Sequence, residues 1–540
     1  MDVDTGLGIV GNFGWLQAVV FVANGLAFSI SALQMTSMPF TIDQSIDFYC
    51  NPPPGFTANQ TTPLIYKDGG YVRDGCNVYG VSNGTLTGDI MKCQNGWKYV
   101  AEYGETSSVT DLNLVCDSGV LASLLMSLQF VGVALGSVVM GQAGDTFGRR
   151  LVAMVSTAFI ALFGTVISFT WNVYLMAVLR LCLGFVLPGC LIECYVRMIE
   201  MFTTEKRLLG HILAQNFWAV GILLIALFAF LIPNWRHLQL VISLGILPFG
   251  PLLWYSYESL RWLVQKDRLQ EAGAILERIA KSKNIHYPPG FQLTRKPQKN
   301  INHDSQGNLS DSGEEVEAMA KSLDEKRAPL KKYNVLDLFR TRVLMKNTLI
   351  IYLCWFVMDS VYYALLFYST LLAGNKYLNF FLMALAETPV YFIDFFIVRR
   401  FGRKRPLVFF FFASGVACFL VAFLPFETAS GTNLTALIVA SAMVGKFYSC
   451  ATFELTILVG AEVFPTVLRS IGTGSASTIG RVGAIVAPFV VYLKEVVYFL
   501  PMTILGVSSL VVCVCVTMLP ETKDKPLPET YEDSSKEPRV

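Results

Sequence analysis

Long apolar runs separated by shorter polar segments dominate this chain. A membrane-spanning helix needs roughly 20 apolar residues to cross about 30 Å of hydrocarbon. The pattern therefore predicts an all-α membrane protein of twelve transmembrane helices in two six-helix halves, with a large extracellular loop after helix 1. The runs lie near residues 13–35, 118–141, 151–170, 173–196, 209–232, 236–256, 347–371, 376–398, 406–426, 435–460, 470–493 and 497–518.

Composition agrees with this pattern. Of 540 residues, 53% are hydrophobic and 15% are charged, which is more apolar than a soluble domain of average usage. We therefore expect most of the chain to lie in the lipid bilayer and to have lipid as a partner. The net charge of +2 does not suggest a nucleic-acid partner, which would need a strongly basic surface.

The two halves share a repeated string of residues. Five residues recur at one fixed offset of about 262 positions, and such an offset marks an internal repeat. Secondary transporters are commonly built from two repeated sets of membrane helices, so the repeat favours transport. The two copies are Glu200, Phe202, Thr204, Arg207 and Gly210, and Glu462, Phe464, Thr466, Arg469 and Gly472.

The placement of Lys and Arg predicts the orientation. Basic residues cluster at 149–150, 206–207, 257–346 and 399–405, all on one side if every run spans. By the positive-inside rule that side is the cytoplasm, so we expect both termini there, in a multi-pass protein of the plasma membrane. The expected division is the N-terminus and first span at 1–35, the outer loop at 36–117, the rest of the first half at 118–256, a cytoplasmic linker at 257–346, the second half at 347–518 and a cytoplasmic tail at 519–540.

The outer loop carries features of an oxidising, glycosylated compartment. Four cysteines predict two disulfides with three possible connectivities, and two sequons predict N-glycosylation on the same face. These residues are Cys50, Cys76, Cys93 and Cys116, and Asn59 and Asn83. On the cytoplasmic side, the spacing of apolar residues over 259–280 predicts a short amphipathic helix.

A second motif follows the second run. Residues 141–150 read G-Q-A-G-D-T-F-G-R-R, with a partial copy at 399–404. This string resembles the signature of the major facilitator superfamily, which implies a latch on the cytoplasmic side that breaks when the halves rock. The alternative is a positive loop that only sets topology. The residues expected to act in gating are Asp145, Gly148, Arg149, Arg150, Glu200, Arg207, Glu462 and Arg469.

Further strings narrow the resemblance. They are Asn234-Trp235-Arg236, Tyr257 to Leu263 (YESLRWL), Met443 to Phe447 (MVGKF), Ala461 to Arg469 (AEVFPTVLR) and Leu519 to Thr530 (LPETKDKPLPET). Together with the cysteine-bearing outer loop, they resemble the organic cation/anion/carnitine transporter family over nearly the whole chain. The family usually has Pro where Tyr257 stands.

Four charged residues reach the middle of the predicted spans. Asp359, Glu387, Lys446 and Arg481 lie about eleven or twelve residues from a span end, roughly 15–18 Å deep. Each is costly there and is expected to face the bundle interior or a watery cavity. Either they cancel as buried ion pairs, or Glu387 and Arg481 bind the two charged ends of a substrate.

The resemblance bears on this choice. Organic anion and carnitine carriers have Arg at the position of Arg481, where cation carriers have an acid. Glu387 followed by Tyr391 at i+4 is similar to the carnitine-type pattern, while anion carriers tend to have Lys where Tyr391 stands. Aromatic faces can hold a quaternary ammonium within about 6 Å, so Tyr362, Tyr363 and Trp218 complete the expected substrate-binding set.

The sequence contains no motif that predicts an enzyme. Gly445-Lys446 lacks the rest of a phosphate-binding loop, and the four histidines show no metal spacing or paired nucleophile. We expect no cofactor, no metal and no catalytic residue. The prediction is a secondary transporter that moves small organic cations or carnitine-like zwitterions by alternating access, with sodium or a proton as a possible coupling ion. The alternatives are an organic anion carrier and, more distantly, a non-transporting receptor on the same scaffold.

Overall fold

A computed structural model describes residues 3–11, 14–67, 70–82, 85–285, 334–428, 431–525 and 528. Helices occupy the positions of the apolar runs, and eleven helical stretches in this part of the chain are long and apolar enough to span a membrane. The last helix, Leu500–Val516, is apolar but has 17 residues. The predicted all-α membrane architecture is confirmed.

The first half follows the predicted order. After α1 (Val3–Val10) come α2 (Trp15–Thr36) and the short α3 (Met38–Thr41), α4 (Ala58–Thr61) and α5 (Ser108–Asp111). The remaining spans are α6 (Gly119–Phe147), α7 (Arg149–Ser168), α8 (Val173–Glu200), α9 (Arg207–Leu231) and the sixth span, which is split into α10 (Trp235–Leu244) and α11 (Phe249–Tyr255). Asn172 and Asn234 cap α8 and α10, because each side chain accepts hydrogen bonds from the first backbone amides.

The second half repeats the arrangement. Two short helices of the predicted linker, α12 (Leu260–Gln265) and α13 (Leu269–Ser282), precede α14 (Arg342–Tyr368). The eighth span is split into α15 (Lys376–Glu387) and α16 (Val390–Phe401), and it is followed by α17 (Lys404–Phe423), α18 (Thr435–Val463), α19 (Arg469–Tyr492) and α20 (Leu500–Val516). The predicted run near 376–398 is confirmed as a candidate span over Lys376–Phe401, with a helix interruption after Glu387 where Pro389 cannot donate a helical hydrogen bond.

The duplication extends to helix packing. A Cβ at Gly221 on α9 would lie 2.5 Å from the Ser29 carbonyl oxygen on α2, and a Cβ at Gly483 on α19 would collide in the same way with the Phe356 carbonyl on α14. Small residues allow membrane helices to approach this closely. The first span thus packs on the fifth as the seventh packs on the eleventh, and the two glycines share the offset of the repeated string.

The described residues of the outer loop contain three two-stranded antiparallel sheets. The strand pairs are β1 (Asp47–Cys50) with β6 (Trp97–Val100), β2 (Leu64–Lys67) with β3 (Gly70–Arg73), and β4 (Asn77–Ser82) with β5 (Thr85–Lys92). Disulfides join Cys50 to Cys93 and Cys76 to Cys116, so the predicted pair of bridges is present with one of the three connectivities. Asn59 is exposed on α4, while Asn83 lies outside the described residues. Glycosylation of both remains a prediction.

The linker between the halves begins with a small separate core. Leu7 of α1 packs with Leu263 of α12 and Leu276 of α13, all nearly fully buried. The single amphipathic helix predicted over 259–280 is two helices, divided after Gln265. An ion pair between Arg261 and Asp4, at 2.7 Å, ties this core to the N-terminal helix.

Candidate functional site

The centre of the bundle holds a buried ion pair between two helices of the second half. Lys446 Nζ on α18 lies 2.7 Å from Glu387 Oε1 at the end of α15, and both side chains are fully buried. The break between α15 and α16 places Glu387 at a helix end inside the bundle. Of the two alternatives left open by the sequence for these charges, this arrangement corresponds to a buried ion pair.

Tyr362 on α14 connects this pair to the first half. Its hydroxyl donates to Glu387 Oε2 at 3.0 Å, while the Trp218 indole on α9 donates to that hydroxyl oxygen at 3.1 Å. The Lys446 ammonium lies 3.1 Å from the centroid of the Tyr362 ring. An aromatic face that holds the lysine cation is chemically suited to hold an organic ammonium instead.

A second group of predicted residues lies between α14 and α19. Asp359 is 1% exposed, and Arg481 lies close enough to Asp359 and Tyr363 to interact with both. The Tyr363 ring packs edge-on against Phe130 of the first half, with 4.6 Å between ring centroids. Arg481 is thus opposite Asp359, whereas Glu387 is opposite Lys446.

Tyr391 lies on the other side of the helix break. Glu387 ends α15 and Tyr391 lies in the first turn of α16, and Thr388 and Pro389 between them keep right-handed helical backbone angles, so the shared face of Glu387 and Tyr391 stays a prediction. Tyr391 places its hydroxyl 3.9 Å from the Cys450 sulfur on α18. It remains within electrostatic reach of Glu387.

The motif at 141–150 and Glu200 of the repeated string form a charged cluster at one end of the first half. Arg149 contacts Glu200 closely, and the Ser259 hydroxyl donates to the same carboxylate. The Arg150 amide donates to Glu258 Oε2 at 3.0 Å, so this carboxylate caps the start of α7. Gly148 precedes the helix with φ of 106°, a conformation that favours glycine.

The second half carries the same cluster. Arg403 lies 3.1 Å from Glu462, and Thr522 donates to that carboxylate. Glu521 accepts the amides of Arg403 and Lys404 at 3.0 and 3.2 Å, next to Gly402 with φ of 89°. Partial burial opposes ionisation of Glu521, but these backbone donors hold its pKa below the ordinary value.

Three of the residues expected to act in gating lie at the edge of these clusters or outside them. Asp145 is largely exposed and lies 3.6 Å from Arg149. Among the described residues, Arg207 and Arg469 form no ion pair with the cluster, and Arg469 donates instead to the Thr466 hydroxyl at 3.3 Å. Glu258 and Glu521 were not predicted from the sequence, although both follow the last span of their half at similar positions.

An ionic contact that the sequence analysis did not anticipate joins the halves at the outer side. Lys376 at the start of α15 lies 2.6 Å from Asp43 and 2.8 Å from Glu105 of the outer loop. Beneath it, the Phe40 ring stacks on Tyr377 with 5.6 Å between centroids and contacts Phe380 at 4.9 Å. The outer ends of the two halves are therefore in contact in this structure.

Metal chemistry finds no site in the described part of the chain. No group of three or more His, Cys, Asp or Glu side chains there has an arrangement that could hold a metal ion.

Comparisons with known proteins agree with the fold and the motifs. Residues 78–533 match the family model described as "Sugar (and other) transporter". The chain is 31% identical to the organic cation transporter protein of Drosophila melanogaster, covering 99% of this chain and 94% of the relative. It is 33% identical to human solute carrier family 22 member 16 over 82% of this chain and 72% of that one.

Solved structures give the same fold at low sequence identity. A partially occluded inward-open structure of the xylose transporter XylE from E. coli aligns with a TM-score of 0.62 at 12% identity, covering 95% of this chain and all of that one. With the duplicated charged clusters and the buried charges in place, these matches show that the chain belongs to the major facilitator superfamily and, within it, to the solute carrier 22 family of organic ion transporters.

Proposed function

We propose that this chain moves small organic cations, including carnitine-like zwitterions, across the plasma membrane by alternating access, and that it is a transporter without enzymatic activity. The relatives named as organic cation transporters support the substrate class. The observation that carries the proposal is the buried array of Glu387, Lys446, Tyr362 and Trp218 between the halves. It combines a carboxylate with aromatic faces, which is the chemistry that an organic ammonium needs.

The positions of the charged clusters support alternating access. The Lys376 cluster joins the halves at the outer end, and the Arg149 and Arg403 clusters each lie within one half at the other end. Contacts at the two ends that form and break in turn expose the centre to one side at a time. With the disulfide-bonded loop outside, both termini lie in the cytoplasm.

Arg481 supports the inclusion of zwitterions. It faces Asp359 and not Glu387, so an ammonium near Glu387 and a carboxylate near Arg481 would occupy separate charge pairs. An organic anion carrier is the second candidate, favoured by Arg481 alone.

Uptake of a small substrate panel tests the proposal. Cells that express the chain would be given labelled tetraethylammonium, carnitine and p-aminohippurate, each with and without sodium. We expect uptake of the first two and none of the third. Arg481→Ala should abolish carnitine uptake and spare tetraethylammonium. Uptake of p-aminohippurate alone would assign the anion function, and no uptake with retained ligand binding would favour a receptor.

A further inference from the structure

A histidine contacts the opposite half of the bundle below the central site. His211 Nε2 on α9 lies 2.9 Å from Glu454 Oε2 on α18, and Gln215 donates to Glu454 Oε1 at 2.7 Å. Both oxygens of one carboxylate in the second half are thus held by the first half. Glu454 lies eight residues after Lys446 on the same helix, which places it about 12 Å nearer the cytoplasm.

The other ring nitrogen of His211 also has a partner. Tyr195 on α8 places its hydroxyl oxygen 2.6 Å from His211 Nδ1. A tyrosine hydroxyl can donate or accept. In the neutral ring, Nε2–H donates to Glu454 and Tyr195 donates to Nδ1. In the charged ring, Nδ1–H donates to Tyr195 and the imidazolium pairs with Glu454. The arrangement therefore accommodates the ring with and without an added proton.

The surroundings of the pair are acidic. The Asp394 carboxylate on α16 is buried, neither oxygen has a hydrogen-bond partner in the described structure, and it lies within electrostatic reach of Glu454. Helix α2, which also packs on α9, contributes no titratable side chain, and Glu387 of α15 is paired with Lys446. The titratable groups that face the pair are Tyr195 of α8, Asp394 and Tyr391 of α16, and Cys450 of α18.

We propose that His211 and Glu454 form a proton-binding site whose proton is exchanged for the organic cation during transport. This inference rests on the proposed function and names its coupling ion. With the proton bound, imidazolium and carboxylate form a neutral pair that joins the halves. Without it, the neutral ring leaves the negative charge of Glu454, next to Asp394, uncompensated. A proton or an organic cation can balance that charge, and each weakens the binding of the other.

The exchange conserves charge. One proton leaves His211 Nδ1 to water while one monovalent cation enters the bundle, and no covalent bond in the substrate changes. The side chains of His211 and Glu454 are 27% and 13% exposed, in contrast to the fully buried Glu387 and Lys446. The lower pair is therefore the one that water can reach.

Purified protein in liposomes tests the exchange. Tetraethylammonium is suitable because it carries no proton itself. A pH dye trapped inside acidic vesicles would report proton efflux when labelled tetraethylammonium is added outside, with the membrane potential clamped by potassium and valinomycin. We expect proton efflux that accompanies uptake. His211→Gln should remove the proton efflux and leave a several-fold slower uptake that no longer depends on pH.

His237→Gln is the matched control, because His237 is an exposed histidine at the start of α10, and this variant should retain proton efflux. Proton efflux that persists in His211→Gln overturns the inference, as does wild-type uptake without proton movement. Absence of uptake by the wild type contradicts the proposed function instead.

A measurement without substrate then decides on the proton site. Melting temperatures of wild type and His211→Gln would be compared between about pH 5.5 and 8, across the ordinary histidine pKa of about 6.5. We expect the wild-type protein to melt at a higher temperature than His211→Gln at acid pH, where the charged ring pairs with Glu454. This difference in melting temperature should shrink as the pH rises. A difference that is constant with pH contradicts a proton site whether or not transport occurs.

Discussion

Glu387 and Lys446 carry opposite charges at a place where neither is reached by water. Removing one member of a buried pair leaves an uncompensated charge and costs about 3–5 kcal/mol, whereas replacing both with neutral groups is often tolerated. Tyr362 adds a hydrogen bond to the carboxylate and a ring face to the ammonium. We therefore expect the pair to stabilise the empty protein, and the proposed function adds a binding role for Glu387 when a substrate cation displaces Lys446.

Single and double substitutions separate these roles. We expect Glu387→Gln and Lys446→Gln each to lower the amount of folded protein, because each strands a charge. The double variant should recover much of the folded protein but not the uptake of tetraethylammonium, since it lacks the carboxylate. Fluorescence-detected size-exclusion chromatography measures the folded fraction. A double variant that transports normally would contradict a binding role for Glu387.

The depth of these charges was predictable, but their partners were not. Helical rise sets how far Asp359, Glu387, Lys446 and Arg481 lie from a span end. Which acid faces which base depends on the rotation of each helix about its axis and on the interruption at Pro389. The bridging of one substrate between Glu387 and Arg481 stays a prediction, now with each residue opposite a counter-charge of its own.

Arg149 permits a sharper version of the latch prediction. Its guanidinium contacts Glu200 closely, but Asp145 lies 3.6 Å away and is mostly exposed. Exposed pairs contribute roughly 0–1 kcal/mol. We therefore expect Glu200→Gln to slow tetraethylammonium uptake more than Asp145→Asn does, with similar surface delivery of both variants. If Asp145→Asn slowed uptake as much as Glu200→Gln or more, Asp145 would be the more important partner of Arg149.

At the scale of elements, the repeated string has a structural explanation. Phe202 packs on Gly210 and Phe464 packs on Gly472, so that a Cβ on either glycine would lie 2.5 or 2.6 Å from the ring. The repeated string could be found in the sequence because both halves form the same phenylalanine–glycine contact there. The glutamates that cap α7 and α17 were missed because they are distant in sequence from the helix starts that they contact.

These caps predict a strict requirement for glycine. An alanine at Gly148 would place its Cβ 2.8 Å from a Glu258 oxygen, in a backbone conformation that L residues rarely adopt. We expect Gly148→Ala to destabilise the protein by about 1–3 kcal/mol, measured by thermal unfolding in detergent. Gly141→Ala is the matched control, since a Cβ there meets nothing within 4 Å. Equal melting temperatures for the two variants would exclude the proposed cap.

At the scale of the whole molecule, the two ends of the bundle differ in chemistry. The inner contact of His211 with Glu454 contains a histidine, but the outer contact consists of Lys376, Asp43 and Glu105. Burial opposes ionisation of Glu105, yet the hydrogen bond and charge of Lys376 together with backbone amides hold its pKa below the ordinary value. The contribution of Glu105 to the stability of this contact is present above the ordinary glutamate pKa and is lost only as pH falls through the lowered pKa.

We therefore expect the charge of residue 376 to control opening of the outer side. Outside pH between about 6 and 8 should have no effect on it, because that range lies above the ordinary pKa of a glutamate.

Ser127→Cys supplies a reporter of outer opening. Ser127 is 2% exposed and donates to the Ile485 carbonyl of the other half at 2.7 Å. We expect an impermeant thiol reagent to label this cysteine faster when combined with Lys376→Gln, because the neutral side chain leaves Asp43 and Glu105 unpaired. Lys376→Arg keeps the charge and should label slowly. The cysteines of the outer loop are joined in disulfides and do not compete. Equal labelling in both backgrounds would show that the aromatic stack below Lys376 closes the outer side by itself.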